Sequence, residues 1–349
     1  MSLGDWSCPL PKLDLPTITM SHGAGGGLSA KLFDDVFSKH YPSKELLDRN
    51  DSAVIDWDSR YRLAISTDAF VVEPRKFPGG DIGSLSVYGT INDLAVQGAE
   101  PIALTIAWVL EEGFPLSELH ELASSVGKAA ADCSVRVLAG DTKVVQRGRG
   151  HGCYITTTGL GRVPKGLELG SSRICLGDCI LLSGPIGDHG MAIMSQRSGL
   201  DFDPVLKSDC APLHRMAMSL ASQVSGLKLM RDPTRGGISA VLNELAASCQ
   251  KCFEIQEASV PIRSQVKSAC DLLGIDPWVV ANEGKLLAFV SCDGVQAALD
   301  IMRKHPEGTQ ACQIGQVTDR YPRSVIAETL YGTKRIVAMP SGELLPRIC

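Results

Sequence analysis

What this chain lacks narrows its possibilities first. No apolar run approaches the roughly 20 residues that a membrane-spanning helix needs. No basic stretch followed by an apolar core opens the sequence, so a secretory signal is not expected and the cytoplasm is the expected compartment. Lys and Arg number 34 against 39 Asp and Glu, a net charge of −5. With no Lys/Arg stripe either, nucleic acid is not an expected partner. The twelve cysteines have no framework spacing, and a reducing compartment favours free thiols. Two pairs lie close in sequence, Cys175/Cys179 and Cys249/Cys252. The second has metal or redox spacing, but no further pair completes a tetrahedral zinc site, so packing is the expectation for both. Short-period repeats are absent, as are low-complexity tracts beyond one glycine loop.

What is present is a soluble-type composition, 44% hydrophobic and 21% charged, in 349 residues. That length accommodates two domains. Strand-like runs at 53–57, 62–67, 102–110, 135–139 and 154–163 alternate with helical patterns at 29–37, 81–96 and from Ser117. A second half alternates similarly: strands at 180–183, 286–290 and 335–339, with helices from about Gly190, at 213–224, after Asp232 and at 295–303. The expected layout is an arm with a glycine-rich loop (1–40), a first α/β domain (41–163), a second (164–339) and a mobile tail (340–349). Pro164-Lys165-Gly166 marks the boundary.

Four aspartates fall at expected strand ends or in turns: Asp51, Asp68, Asp93 and Asp141. Convergent carboxylates repel unless a cation neutralises them, and such hard oxygen ligands select Mg²⁺, often together with substrate phosphates. Each alone also reads as a cap or an Asx-turn. The loop His22-Gly23-Ala24-Gly25-Gly26-Gly27 offers backbone N–H groups to phosphate. It is neither a Walker A loop nor a dinucleotide fingerprint, and also reads as a linker. Asp232-Pro233-Thr234-Arg235-Gly236-Gly237 opens a helix and suits anion binding, or is a plain helix start capped by Asp232. The last residue, Cys349, sits where chain ends are least constrained, as a swinging nucleophile or carrier, or as an incidental buried thiol.

Taken together, these segments resemble the superfamily of aminoimidazole ribonucleotide synthetase, selenophosphate synthetase and thiamine monophosphate kinase. They resemble more closely its HypE branch, the carbamoyl dehydratases of nickel–iron hydrogenase maturation. The resemblance rests on Ser21–Gly26, Ser66–Val72, Phe77–Gly83, Thr90–Leu94, Ala139–Val145, Gly184–Gly190, Asp232–Gly237, Asn282-Glu283-Gly284 and Pro346-Arg347-Ile348-Cys349. It implies a mixed α/β, two-domain aminoimidazole ribonucleotide synthetase-like fold, with N-terminal domains pairing in a homodimer into a β-barrel and with a flexible tail. It also implies ATP-dependent dehydration of an S-carbamoyl group on Cys349 to a thiocyanate, the source of the cyanide ligand. HypF would supply the carbamoyl group and a HypC–HypD complex would receive the nitrile. On this pattern Asp51, Asp68, Asp93 and Asp141 hold Mg²⁺, and Lys143 and Glu283 orient and deprotonate the carbamoyl nitrogen. His22, Gly23, Gly25, Gly26, Asn92, Asp188 and Arg235 would contact ATP, with His189 a weaker candidate. Residues before Ser21 match nothing in the pattern. A small-molecule phosphotransferase of the same superfamily and a non-catalytic carbamoyl carrier are the competing readings.

Overall fold

The computed structural model describes residues 27–37, 40, 47–340 and 348–349. A short helix, α1 (Gly27–Leu32), runs into a π-helical turn at Phe33–Phe37. Strands β1 (Ala53–Asp56) and β2 (Tyr61–Phe70) form a hairpin. After the small ribbon β3 (Lys76–Phe77) and β4 (Gly80–Asp81) comes helix α2 (Ile82–Val96). Asp81 starts this helix with a reciprocal cap, accepting from the Ser84 N–H while Ser84 Oγ accepts from the Asp81 N–H. Then follow β5 (Glu100–Glu111), α3 (Leu116–Asp132), β6 (Arg136–Val145) and β7 (Cys153–Pro164). Among the described residues they complete a five-stranded sheet ordered β1-β2-β7-β5-β6.

The second sheet has seven strands, ordered β14-β13-β10-β12-β8-β11-β9. In chain order these are β8 (Cys179–Leu182), β9 (Leu227–Arg231), β10 (Cys252–Gln256), β11 (Leu287–Val290), β12 (Cys312–Thr318), β13 (Ser324–Glu328) and β14 (Lys334–Ile336). Helices α5 (His214–Gln223), α6 (Gly237–Cys249) and α8 (Val295–Met302) pack on its strands, while α4 (Asp188–Ser198) and α7 (Ser264–Leu273) pack on each other. The core strands β8 and β11 are buried along their whole length, as continuous apolar runs predict.

Helix α2 positions the site. Its residues are buried on nearly every side, because it packs on the first sheet, on α3 and α5, and on β9 of the second sheet. A helix apolar all round belongs in an interior. The packing expected of the cysteine pairs holds for Cys179 and Cys252, which are buried, and partly for Cys249, which is half-buried, but not for Cys175, which is exposed. Cys179 lies 3.5 Å from the Cys292 sulfur rather than beside Cys175.

Candidate active site

Three carboxylates from three separate elements converge beside α2. Asp51 precedes β1, Asp93 lies near the end of α2 and Asp232 follows β9, with oxygens all within 4.8 Å of one another. Asp93 accepts a hydrogen bond from Ser66 Oγ at 2.7 Å. Burial pushes the Asp51 pKa up to about 8 although the Arg231 guanidinium opposes it, and it pushes Asp232 to about 6. Asp93 is held well above the usual carboxylate range by burial and then by Asp68. The Asp68 carboxylate adds to the repulsion on all three. Arg231 approaches Asp51 to 2.8 Å, but neither Asp51 Oδ2 nor Arg231 Nε is aligned for a hydrogen bond. Carboxylate oxygens so crowded, with Arg231 the cation paired to them at Asp51, fit a hard divalent cation such as Mg²⁺.

The sequence pattern missed Asp232 as a member of this cluster and read it only as a helix cap. The available signal was the alternating Leu227-Lys228-Leu229 ahead of it, which forms β9 and delivers Asp232 at a strand end. Two consecutive left-handed glycines follow, Gly236 and Gly237, at φ 77° and 60°. A Cβ on Gly237 would lie 2.5 Å from the Trp278 carbonyl oxygen and 2.6 Å from that of Val280. The glycine therefore lets the Asp232–Arg235 loop close onto the segment that leads to Glu283.

Glu283 is 4% exposed, and burial, followed by repulsion from Asp232, Asp209 and Asp68, holds its carboxyl well above the ordinary pKa. Its backbone is clamped from beneath. Asp209 accepts from the Glu283 N–H at 3.2 Å and the Gly284 N–H at 3.3 Å, and pairs with Lys285 at 3.2 Å. Burial alone would raise Asp209, but Lys285, His189 and the Glu283 N–H outweigh it and keep this carboxyl below its usual range. A Cβ on Gly284 would lie 1.9 Å from the Asp209 carbonyl oxygen, so this approach demands glycine. Asp209 is a second residue that sequence reasoning missed, since no motif surrounds it.

The thiol of Cys349 lies within electrostatic reach of Glu283, Arg235 and Asp68. Burial first, then the Glu283 charge, pushes the thiol to about 12. The preceding Ile348 is buried among apolar side chains of the cluster that includes Phe77 and Val280. Its carbonyl accepts a hydrogen bond from His189 Nε2.

The remaining expected residues are placed as follows. Asn92 donates to the Ala211 and Glu283 carbonyls and accepts from the Leu213 N–H, so its amide holds the Glu283 loop to α2. Arg235 stands near Cys349, Asp68 and Glu283. Asp188 opens α4 away from the carboxylate cluster, ion-paired with Arg263 at 3.1 Å. It lines a cavity of about 520 Å³ shared with Asp209 and Lys285. Asp141 and Lys143 are not brought to the cluster within this chain. Asp141 was expected at a strand end but lies inside β6, whose residues 136–144 are all exposed. Asp68 pairs with Thr157, Thr157 with Ile106 and Ile106 with Gly140. Three strand spacings therefore separate Asp68 from the Asp141 strand, roughly 14 Å. His22, Gly23, Gly25, Gly26 and Pro346-Arg347 lie outside the described residues.

Comparison with known proteins bears on this arrangement. Two family models match: AIR synthase related protein, N-terminal domain, over residues 49–163, and its C-terminal domain over 176–327. Carbamoyl dehydratase HypE of Cupriavidus necator is 45% identical, over 95% of both chains. A crystal structure of the hydrogenase maturation protein HypE in complex with ATP is 40% identical at a TM-score of 0.81, covering 95% of this chain and 100% of that one. A crystal structure of a HypE–HypF complex, also 40% identical, superposes at 0.84 and covers 88% and 99%. With its mixed α/β, two-sheet architecture, its carboxylate cluster and Cys349 beside Glu283, the chain belongs to the carbamoyl dehydratase HypE family of hydrogenase maturation enzymes.

Proposed function

We propose that this protein binds ATP at the carboxylate cluster and uses it to dehydrate a carbamoyl group carried on Cys349. The observation that carries the reading is the buried Cys349 thiol within electrostatic reach of Glu283, Arg235 and Asp68, the last of which acts on the Asp51, Asp93 and Asp232 carboxylates. HypF, with which a relative forms a complex, would load Cys349 when the tail is outside. The cytoplasm would be the place of work, and a HypC–HypD complex would take the product.

The chemistry balances as follows. The carbamoyl oxygen attacks the γ-phosphorus of ATP, the P–O bond to ADP breaks, and one N–H proton leaves to a base. The S–C(=NH)–O–phosphate that results then loses the second N–H proton as its C–O bond breaks, giving S–C≡N and inorganic phosphate. Phosphorylation replaces a poor oxide leaving group with phosphate. Glu283 is the base nearest the sulfur, and a carboxylate whose proton affinity is raised by burial is matched to that task. Arg235 would stabilise anionic oxygen beside the thiol-bound carbon. Mg²⁺ held by Asp51, Asp93 and Asp232, with Asp68 alongside, would offset charge on the transferring phosphoryl group.

Asp141 and Lys143 take part from a second copy. An edge strand exposed over nine residues, with Leu138 57% and Val144 64% exposed, is a pairing surface. A homodimer joined there into a barrel would carry both side chains toward the partner's site. His22 and its glycines would cover the phosphates, and Asp188 would contact the nucleotide more remotely. Residues 41–163 and 164–339 would act as the two domains. The test is intact mass after incubation with HypF, carbamoyl phosphate and Mg-ATP, beside Cys349→Ala. A carbamoyl adduct that loses one water as ATP is hydrolysed, and is absent from the variant, supports the dehydratase. No adduct with active HypF, or one on another cysteine, returns the small-molecule phosphotransferase reading.

A further inference from the structure

Residue His189 is buried completely, and the proposed reaction gives it no part. Its ring meets Phe77 edge-on, centroids 5.4 Å apart. Nδ1 lies 2.8 Å from Ser208 Oγ, which itself accepts from the Cys210 N–H at 3.0 Å. Nε2 meets the main-chain carbonyl of Ile348. A carbonyl oxygen only accepts, so Nε2 must carry hydrogen. Burial lowers the imidazole pKa and keeps the ring neutral, against the pull of Asp209. Nδ1 is therefore bare and accepts from the Ser208 hydroxyl, which fixes the tautomer that donates to Ile348.

We propose that His189 is a positioning residue, a latch whose Nε2–H holds the Ile348 carbonyl and thereby parks Cys349 at Glu283. This rests on the dehydratase reading, in which the tail must alternate between loading outside and dehydration inside. The grip is on the main chain, so it is indifferent to whether the sulfur carries hydrogen, a carbamoyl group or a nitrile. The buried Ile348 side chain supplies a second hold that is apolar and undirected. The hydrogen bond adds direction: it fixes the carbonyl one residue before the reacting sulfur, and so sets the angle at which Cys349 presents its cargo. A single neutral hydrogen bond biases such an equilibrium by roughly three- to tenfold, enough to favour the inward tail without trapping it.

The experiment compares wild type, His189→Ala, His189→Gln and Ser208→Ala in the full-length protein. One readout is the rate of Cys349 alkylation by iodoacetamide, followed in the terminal peptide by mass. The other two are carbamoyl loading by HypF and single-turnover conversion of loaded protein to thiocyanate with Mg-ATP. The expected result for His189→Ala is alkylation about threefold faster, dehydration about threefold slower and loading undiminished. His189→Gln regains part of the dehydration rate because its amide can donate, and Ser208→Ala falls between. Wild-type alkylation and dehydration in His189→Ala would overturn the latch while leaving the dehydratase reading intact. If His189→Ala does not fold, the same unchanged pair of rates in Ser208→Ala overturns it. Loaded wild-type protein that yields no thiocyanate would instead sink the underlying reading.

Discussion

A carboxyl group kept from water holds its proton more tightly, and Glu283 is so kept within electrostatic reach of the Cys349 thiol. Replacing it by Gln preserves shape and removes the base. Glu283→Gln should still accept a carbamoyl group from HypF but dehydrate it about 10²- to 10⁴-fold more slowly in single turnover. Comparable dehydration rates would shift the proton transfer to another residue. The carboxylate cluster gives a second residue-level expectation. Three crowded acids oppose folding until a cation neutralises them, so Mg²⁺ at one hundred times its Kd should add about 2.7 kcal/mol. That corresponds to a rise of several degrees in Tm by calorimetry, absent in Asp93→Asn. Asp93, Glu283 and Cys349 stand out in the sequence because each sits in a segment that resembles the family pattern, and Asp51 because it lies just ahead of an expected strand. Asp232 and Asp209 are not legible as site residues, because their roles come from what folds against them: β9 delivers one, and the Glu283–Gly284 turn presents its N–H groups to the other.

At the scale of elements, helices with caps or a clear period are legible, as Ile82–Val96 shows with its Asp81 start. The strands β9, β10, β12 and β13 are not, since short apolar runs carry no period that separates strand from buried helix. Helix α4 shows how an element terminus can store an electrostatic cost. Its first residue, Asp188, is 2% exposed. Burial and then Asp209 push its pKa to about 6 from 3.8, against Arg263 and Lys285. A folded pKa above the unfolded one means that the contribution is fully present below the unfolded value and is lost as pH rises through the folded value. A shift of this size is worth on the order of 3 kcal/mol as an upper bound. Asp188→Asn should therefore raise Tm at pH 7.5 and leave it unchanged near pH 3.5, measured by thermal melts across that range. A variant less stable at pH 7.5 would show that the Arg263 ion pair outweighs burial.

At the scale of the molecule, the proposed function leaves one chain with an incomplete constellation. The cluster, Glu283 and Cys349 lie together, while Lys143 and Asp141 stand roughly 14 Å of sheet away on an exposed edge. A division between copies would be invisible in the sequence, since a motif records chain order and not which copy a side chain serves. If β6 pairs across a two-fold axis, every site draws its base and thiol from one chain and its Lys143 from the other. Complementation then separates the possibilities. Lys143→Ala and Cys349→Ala are each inactive alone, but in a mixed dimer one site receives wild-type Cys349 from the first chain and wild-type Lys143 from the second. Random pairing makes half the dimers mixed with one competent site each, so thiocyanate formation should recover to about a quarter of wild type. Recovery must vanish when Leu138→Lys is added to both chains, because a charge buried in the shared edge blocks pairing, and sedimentation should then show single chains. A mixture as inactive as its components would mean that Lys143 works within its own chain and has to travel to reach the site.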